Sequence, residues 1–313
     1  MISVKNYKRC VQCPRNCGAD KNSKESGYCR SDESFNISSI CIHRGEEPVI
    51  SGKIGICNVF FAHCNLQCIY CQNIQISKNR ETFPSEAQSL DEVVQNIIHC
   101  LDSGCKAVGF VSPSHCITQM KSIISALHSK GYKPIIVYNS NGYDKVETLC
   151  EIEELIDVYL PDFKYLDSKI AGEYSDAPDY PEVATAAIRE MFRQKGSTLR
   201  IDDDGQIESG LIIRHLILPG NLKNSLAVLN YIADYFSVSV AVSLMSQYYP
   251  IAAVKSYPVL NRKIMVEEYN EVVNEMEKLG FYKGWVQELD SSENYQPDFN
   301  NKHPFEKQSK KSI

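Results

Sequence analysis

Nine of the thirteen cysteines in this chain of 313 residues lie within its first 71 positions. That crowding limits what the chain can fold into more than any other feature. A secreted disulfide framework is a poor fit, because the chain is long and its opening stretch, MISVKNYKRC, lacks the apolar core of an export signal. Clustered thiols without such a signal point to metal binding in a reducing compartment, so a cytoplasmic location is expected. The formal charge of −6 argues against broad phosphate-backbone binding, and no nucleic-acid partner is expected. No apolar run approaches the roughly 18 residues of a membrane span, so no membrane partner is expected either.

The chain divides into three expected parts: a cysteine-rich module over 1–50, a body over 51–286, and a polar, loose or draped tail over 287–313. The body alternates short β-branched runs with amphipathic patterns. Strands are predicted at 54–61, 107–111, 134–139, 156–160, 211–218 and 238–245, with a possible seventh at 281–286. Ser89 followed by Glu92 has capping-box spacing, and Leu90, Val93, Val94, Ile97, Ile98 and Leu101 mark one face of the helix that follows. Further helices are predicted around Ile117–Leu127, over 182–195 behind Pro181, and over 267–279. The acidic stretch 201–210 reads as a surface hairpin. Alternation with crossovers this long implies an α/β fold of parallel strands, whose chemistry gathers at the strands' carboxyl ends.

The first predicted strand leads directly into His63-Cys64-Asn65-Leu66-Gln67-Cys68-Ile69-Tyr70-Cys71-Gln72-Asn73. Three thiolates spaced C-x3-C-x2-C on a short loop can take three corners of a four-iron, four-sulfur cube and leave one iron open. An open iron can be chelated by the amino and carboxylate groups of S-adenosylmethionine (SAM). A zinc knot with Cys57 or His63 as fourth ligand, or plain buried thiols, would also accommodate the spacing. A second set, Cys10-x2-Cys13-x3-Cys17-x11-Cys29, has four thiols and would make a closed site. Zinc, an auxiliary iron–sulfur cluster and a redox disulfide pair all remain open there. Cys57, Cys100, Cys105, Cys116 and Cys150 read as packing residues, while Cys41 and His43 stay ambiguous.

The stretch 64–73 resembles radical SAM enzymes. From Cys10 to about Arg262 the chain resembles homologues of the pyruvate formate-lyase activating enzyme that carry an N-terminal cysteine module. The likeness runs through CPRNC, HRGEEP, CQNIQIS, YNSNGYD, YLPDFKY, EYSDAPDYPEVA, IIRHLILPG and Asn261-Arg262. It implies a partial TIM-like (β/α)6 radical SAM barrel with a small cysteine-rich N-terminal module. It also implies a [4Fe-4S] cluster on Cys64, Cys68 and Cys71 as the catalytic centre, with SAM as cosubstrate. Asn73, Asn141, Asp162, Lys164, Arg214 and Gln247 match positions at or near the SAM site. Asn139 stands where the activating enzymes have an aspartate that helps bind a monovalent cation. The Gly-Gly-Glu motif that would hold the SAM amino group is replaced by Ser112-Pro113-Ser114-His115, so Ser112, Ser114 or His115 is expected to substitute for it.

The implied reaction is reductive SAM cleavage followed by abstraction of a hydrogen atom, in the activating enzymes from a backbone glycine of a glycyl radical enzyme. A protein substrate of that kind and an electron donor such as flavodoxin or ferredoxin are the expected partners. Radical SAM modification of another protein, a peptide or a small molecule is the alternative. A non-catalytic iron–sulfur protein for electron transfer or structural support is the alternative of another class. Read without the resemblance, Asp162 and Lys164 could be a structural ion pair, and Asn141-Gly142 an ordinary turn.

Overall fold

The computed structural model describes residues 9–22, 27–80, 87–289, 291, 296–301 and 303–305. Nine strands form one sheet: β1 (Ile37–His43), β2 (Ile56–Phe61), β3 (Ala107–Val111), β4 (Ile135–Ser140), β5 (Val158–Pro161), β6 (Arg200–Ile201), β7 (Ile207–Leu216), β8 (Ala241–Met245) and β9 (Gly284–Val286). Their order is β1-β2-β3-β4-β5-β7-β8-β9, with β6 paired to β7. Every pairing from β2 to β9 along this path is parallel, whereas β1 runs antiparallel to β2. The connections carry the helices, as parallel pairing requires. They are α2 (Ile74–Ser77) and α3 (Leu90–Asp102), then α4 (Ile117–Ser129), α5 (Val146–Glu151), α6 (Ser168–Ser175) and α7 (Tyr180–Lys195), α8 (Leu222–Tyr235), and α9 (Val266–Lys278). The result is the expected partial (β/α)6 barrel, with β9 as a final strand.

Alternation along the strands builds two cores. On β2, Cys57, Val59 and Phe61 face Val93, Val94 and Ile97 of α3, whose N-terminus carries the predicted Ser89–Glu92 capping box. Ile56, one residue out of phase, joins Ala107, Val137, Val158, Leu160, Ile212 and Ala241 in a second cluster inside the barrel. Ile50 packs into this inner cluster from a short helix, α1 (Pro48–Ser51).

One boundary of the expected organisation differs. Residues 37–50, assigned above to the cysteine module, instead supply the barrel's edge strand β1 and most of the helix that enters its inner cluster. The alternating polar residues of ISSICIH concealed β1, whose edge position buries only every few residues. The described part of the tail docks: Phe299 and Phe305 pack on Phe60, and Phe305 lies 4.2 Å from the His43 ring. The stretch around 201–210 forms the expected hairpin, with Asp202 Oδ1 accepting from the backbone of Asp204 and Gln206. Among the described residues no helix is long and apolar enough to cross a membrane.

Gly142, just after β4, has φ +82, and a Cβ there would collide with the Asp162 carbonyl and lie 2.5 Å from the Tyr180 hydroxyl. Gly142→Ala is therefore expected to lower stability by about 1–3 kcal/mol in chemical denaturation. An unchanged midpoint would mean that the turn relaxes at no cost.

Candidate active site

The carboxyl ends of the parallel strands surround a cavity of about 600 Å³. Of the residues assigned above to the SAM site, Cys64, Cys68, Cys71, Asn73, Ser112, Asn139, Asn141, Asp162, Lys164, Arg214 and Gln247 line it, whereas Ser114 and His115 do not. The topology explains the convergence. Position 64 follows β2, 112 follows β3, 139–141 end β4, 162–164 follow β5, and 247 follows β8, while Arg214 lies near the end of β7.

The cysteine loop is held by sulfur-directed donors. Cys64 Sγ accepts from the Leu66 amide and from Asn141 Nδ2, both at 3.4 Å. Ser175 Oγ donates to Cys68 Sγ at 3.0 Å, and Ser77 Oγ to Cys71 Sγ at 3.4 Å. Asn65 fixes the loop from beneath, donating to the Tyr143 carbonyl at 2.8 Å and accepting from Asn141 at 2.7 Å. Burial pushes the Cys64 thiol up to about 12 and Cys68 to about 11, although Lys164 opposes the latter. Three buried sulfurs so placed become thiolates at neutral pH only against a cationic partner. Among the described residues no three Cys, His, Asp or Glu side chains close on a single ion. The donor set, its burial and the adjoining cavity fit an iron–sulfur cube with Cys64, Cys68 and Cys71 as its ligands.

The cavity floor is a buried charge network. Arg214 Nε donates to Asp162 Oδ1 at 2.9 Å, its NH1 to Glu46 Oε2 at 3.2 Å, and its NH2 to Asn139 Oδ1 at 2.6 Å. Lys164 Nζ takes the other Asp162 oxygen at 2.6 Å. Burial alone would raise the Asp162 carboxyl, but the charges of Arg214 and Lys164 overcome it and hold that carboxyl below its usual range. Tyr180 locks the two loops together, donating to the carbonyls of Asn141 and Asp162 and accepting from the Lys164 amide. Gln247 accepts from Gln287 through its side chain and from Gln72 through its carbonyl.

Sequence reasoning had left Glu46 and Glu47 without a task. Glu46 binds Arg214 and also accepts from Asn58 and Asn139, while Glu47 and His43 line the same cavity. Burial raises the Glu47 carboxyl above its usual range. The charged run HRGEEP, directly before an apolar turn, was the available signal. The substitutes expected for the missing Gly-Gly-Glu motif separate. Ser112 lines the cavity in a left-handed conformation (φ 48), but Ser114 is spent on Asp144 and His115 on the Ala62 carbonyl. His115 and Ser114 are corrected to structural positions; burial lowers the His115 imidazole to about 3, so it carries no charge there. His215 is likewise structural, held between the Phe163 carbonyl and Ser225.

A sequence profile described as a 4Fe-4S single cluster domain matches residues 50–176. A protein of Methanocaldococcus jannaschii, "Uncharacterized protein MJ0674", is 30% identical over 279 residues, spanning 87% of this chain and 75% of the relative. The chain belongs to the MJ0674 family. Among solved structures, a domain of pyruvate-formate lyase-activating enzyme from Bacteroides vulgatus is similar at 15% identity and a TM-score of 0.38, over 55% of this chain and 93% of that one. Streptococcus suis SuiB bound to its precursor peptide SuiA is similar at 13% identity and a TM-score of 0.47, over 75% of this chain and 49% of that one.

Arg214→Met should leave Glu46 as a buried carboxylate without its cation and Asp162 with Lys164 alone, a loss of about 3–5 kcal/mol in denaturant titration. Adding Glu46→Gln to that variant should recover part of it. A double variant no more stable than Arg214→Met would contradict the charge account.

Proposed function

We propose that this cavity binds SAM for reductive cleavage and that the chain uses the product to abstract a hydrogen atom from a glycine of a partner protein. The observation that carries the first half is the meeting of three donor-supported thiols with Lys164, Asn141 and Asn73 in one buried cavity. When bound, a reduced four-iron cluster with one iron free of protein ligands supplies an electron to the SAM sulfonium, releasing methionine and a 5′-deoxyadenosyl radical. The chain's own residues position and enclose. Cys64, Cys68 and Cys71 would hold three irons. The Lys164 ammonium, fixed by Asp162, is available to a ligand carboxylate, and Asn141 and Ser112 offer polar contacts along the wall. Phe60, Leu216, Met245 and Phe305 supply the apolar lining that limits water. Hydrogen-atom abstraction moves proton and electron together, so no separate acid or base is required.

The glycine half rests on the resemblance to activating enzymes. The seat of Phe305 against His43 and Phe60 supports a second reading, a substrate small enough to enter with the tail in place.

Anaerobic incubation with SAM and dithionite should release 5′-deoxyadenosine. Cys68→Ala should abolish it, and Lys164→Met should weaken SAM binding by about 10- to 100-fold for a lost charged hydrogen bond. Wild-type protein with a full cluster but no 5′-deoxyadenosine would overturn the reading. A glycyl radical signal by electron paramagnetic resonance on a glycyl radical enzyme of the same organism would support the glycine half. Its absence from all such enzymes would favour the small substrate.

A further inference from the structure

Outside the cavity, the densest unassigned group of nucleophiles lies where the N-terminal module meets the barrel. Cys10, Cys13 and Cys29 are buried there, and Cys116 meets them from the start of α4. Position 27 has no side chain where one would strike Cys17 Sγ, so that sulfur lies against the turn leading to Cys29. Among these thiols is Lys21, only 1% exposed. Its ammonium donates to the His115 carbonyl at 3.0 Å and stands 3.7 Å from Cys29 Sγ. Among the described residues no carboxylate pairs with it.

An ammonium buried without an anion is costly. Neutral thiols supply no counter-charge, but four thiolates on a metal centre outnumber the positive charge of that centre and leave a net negative complex. A single zinc ion would draw its sulfurs to about 3.8 Å from one another, from tetrahedral Zn–S bonds of about 2.3 Å. Among the described residues neither this set nor Cys64, Cys68 and Cys71 closes on one ion; the link from Cys13 through Arg15 to the Cys64 loop favours a redox-active cluster over zinc.

We propose that Cys10, Cys13, Cys17 and Cys29 bind a second iron–sulfur cluster, that Lys21 balances its excess negative charge, and that this cluster passes electrons to the catalytic one. The last clause rests on the SAM-cleaving reading of the cavity. The connection between the two sites is short. Arg15, two residues beyond Cys13, donates from Nε to the carbonyl of Asn65 at 2.8 Å, next to Cys64. Its guanidinium lies over the rings of Tyr28, at 3.8 Å, and Tyr143, at 5.0 Å. Cys17 is exposed at the module's outer side, where a carrier can approach. One electron leaves a low-potential carrier of the flavodoxin or ferredoxin type, which is oxidised as the module cluster is reduced. The same electron then moves to the catalytic cluster and returns the module cluster to its oxidised state.

The test uses the full chain, purified and reconstituted anaerobically with iron and sulfide. Cys64→Ala/Cys68→Ala/Cys71→Ala should keep about four irons per chain and a paramagnetic reduced state, and adding Cys13→Ala/Cys29→Ala should remove both. Zinc in place of iron in the first variant, or iron that survives in the second, overturns the site. Lys21→Met, which keeps every thiol, should shift the module cluster's midpoint to lower potential; an unmoved midpoint overturns the charge balance. With the catalytic thiols intact, Cys13→Ala/Cys29→Ala should slow SAM cleavage driven by reduced flavodoxin by about tenfold or more while leaving dithionite-driven cleavage within about twofold. Equal rates with both donors overturn the relay. No cleavage by wild-type protein with either donor would instead remove the SAM reading while leaving the iron count and midpoint to decide the module.

Discussion

Arg214 grips Asp162, Glu46 and Asn139 at once, and so ties β7, the β5 loop, the β4 terminus and the arm before α1 around one cavity. A guanidinium suits this task because its planar fork presents donors in several directions without losing its charge on burial. Through Asp162 the same network fixes Lys164, the cation that faces the thiol loop. Positive charge is thereby stored beside the sulfurs, while the anions that secure it belong to the barrel.

Sulfur and charge alternate through this end of the molecule. The loop of Cys64, Cys68 and Cys71 is fastened from the barrel side by Asn141 and Ser175. On its other side the cysteine module reaches it through Arg15, while Asn79 ties it to the Tyr28 carbonyl. The module is itself anchored on the barrel by Lys21, by Gln12 on Thr118 and by Thr148 on the Gln12 carbonyl. Loop, module and barrel are therefore interlocked by polar contacts that only a folded barrel can align.

Much of this was legible in the sequence because the relevant signals are local. Thiol spacing, the Ser89–Glu92 cap and the i,i+2 pairs at 139/141 and 162/164 each depend on a few neighbouring residues, and strand geometry carries both pairs to the cavity. The likeness to activating enzymes added Arg214 and Gln247, whose convergence no periodicity reveals. Four features escaped. β1 lacks a continuous apolar run because it is an edge. The arm bearing Glu46 becomes a cavity wall only through its partners 93 and 168 residues away. Cys116 looks like any helix-start packing residue until Lys21 is placed beside it. His115 is deceptive for the opposite reason, since a histidine beside a cavity motif turns out to serve the Ala62 carbonyl.

In the proposed function SAM would bind, inside this cavity, through its amino and carboxylate groups to an iron that Cys64, Cys68 and Cys71 leave free. Electron–nuclear double resonance on the reduced full chain, with SAM labelled by ¹⁷O in the carboxylate or ¹⁵N in the amino group, addresses it directly. The account predicts hyperfine coupling of both nuclei to the cluster, lost in Cys68→Ala. A normally reduced cluster that shows no coupling to either label would contradict it.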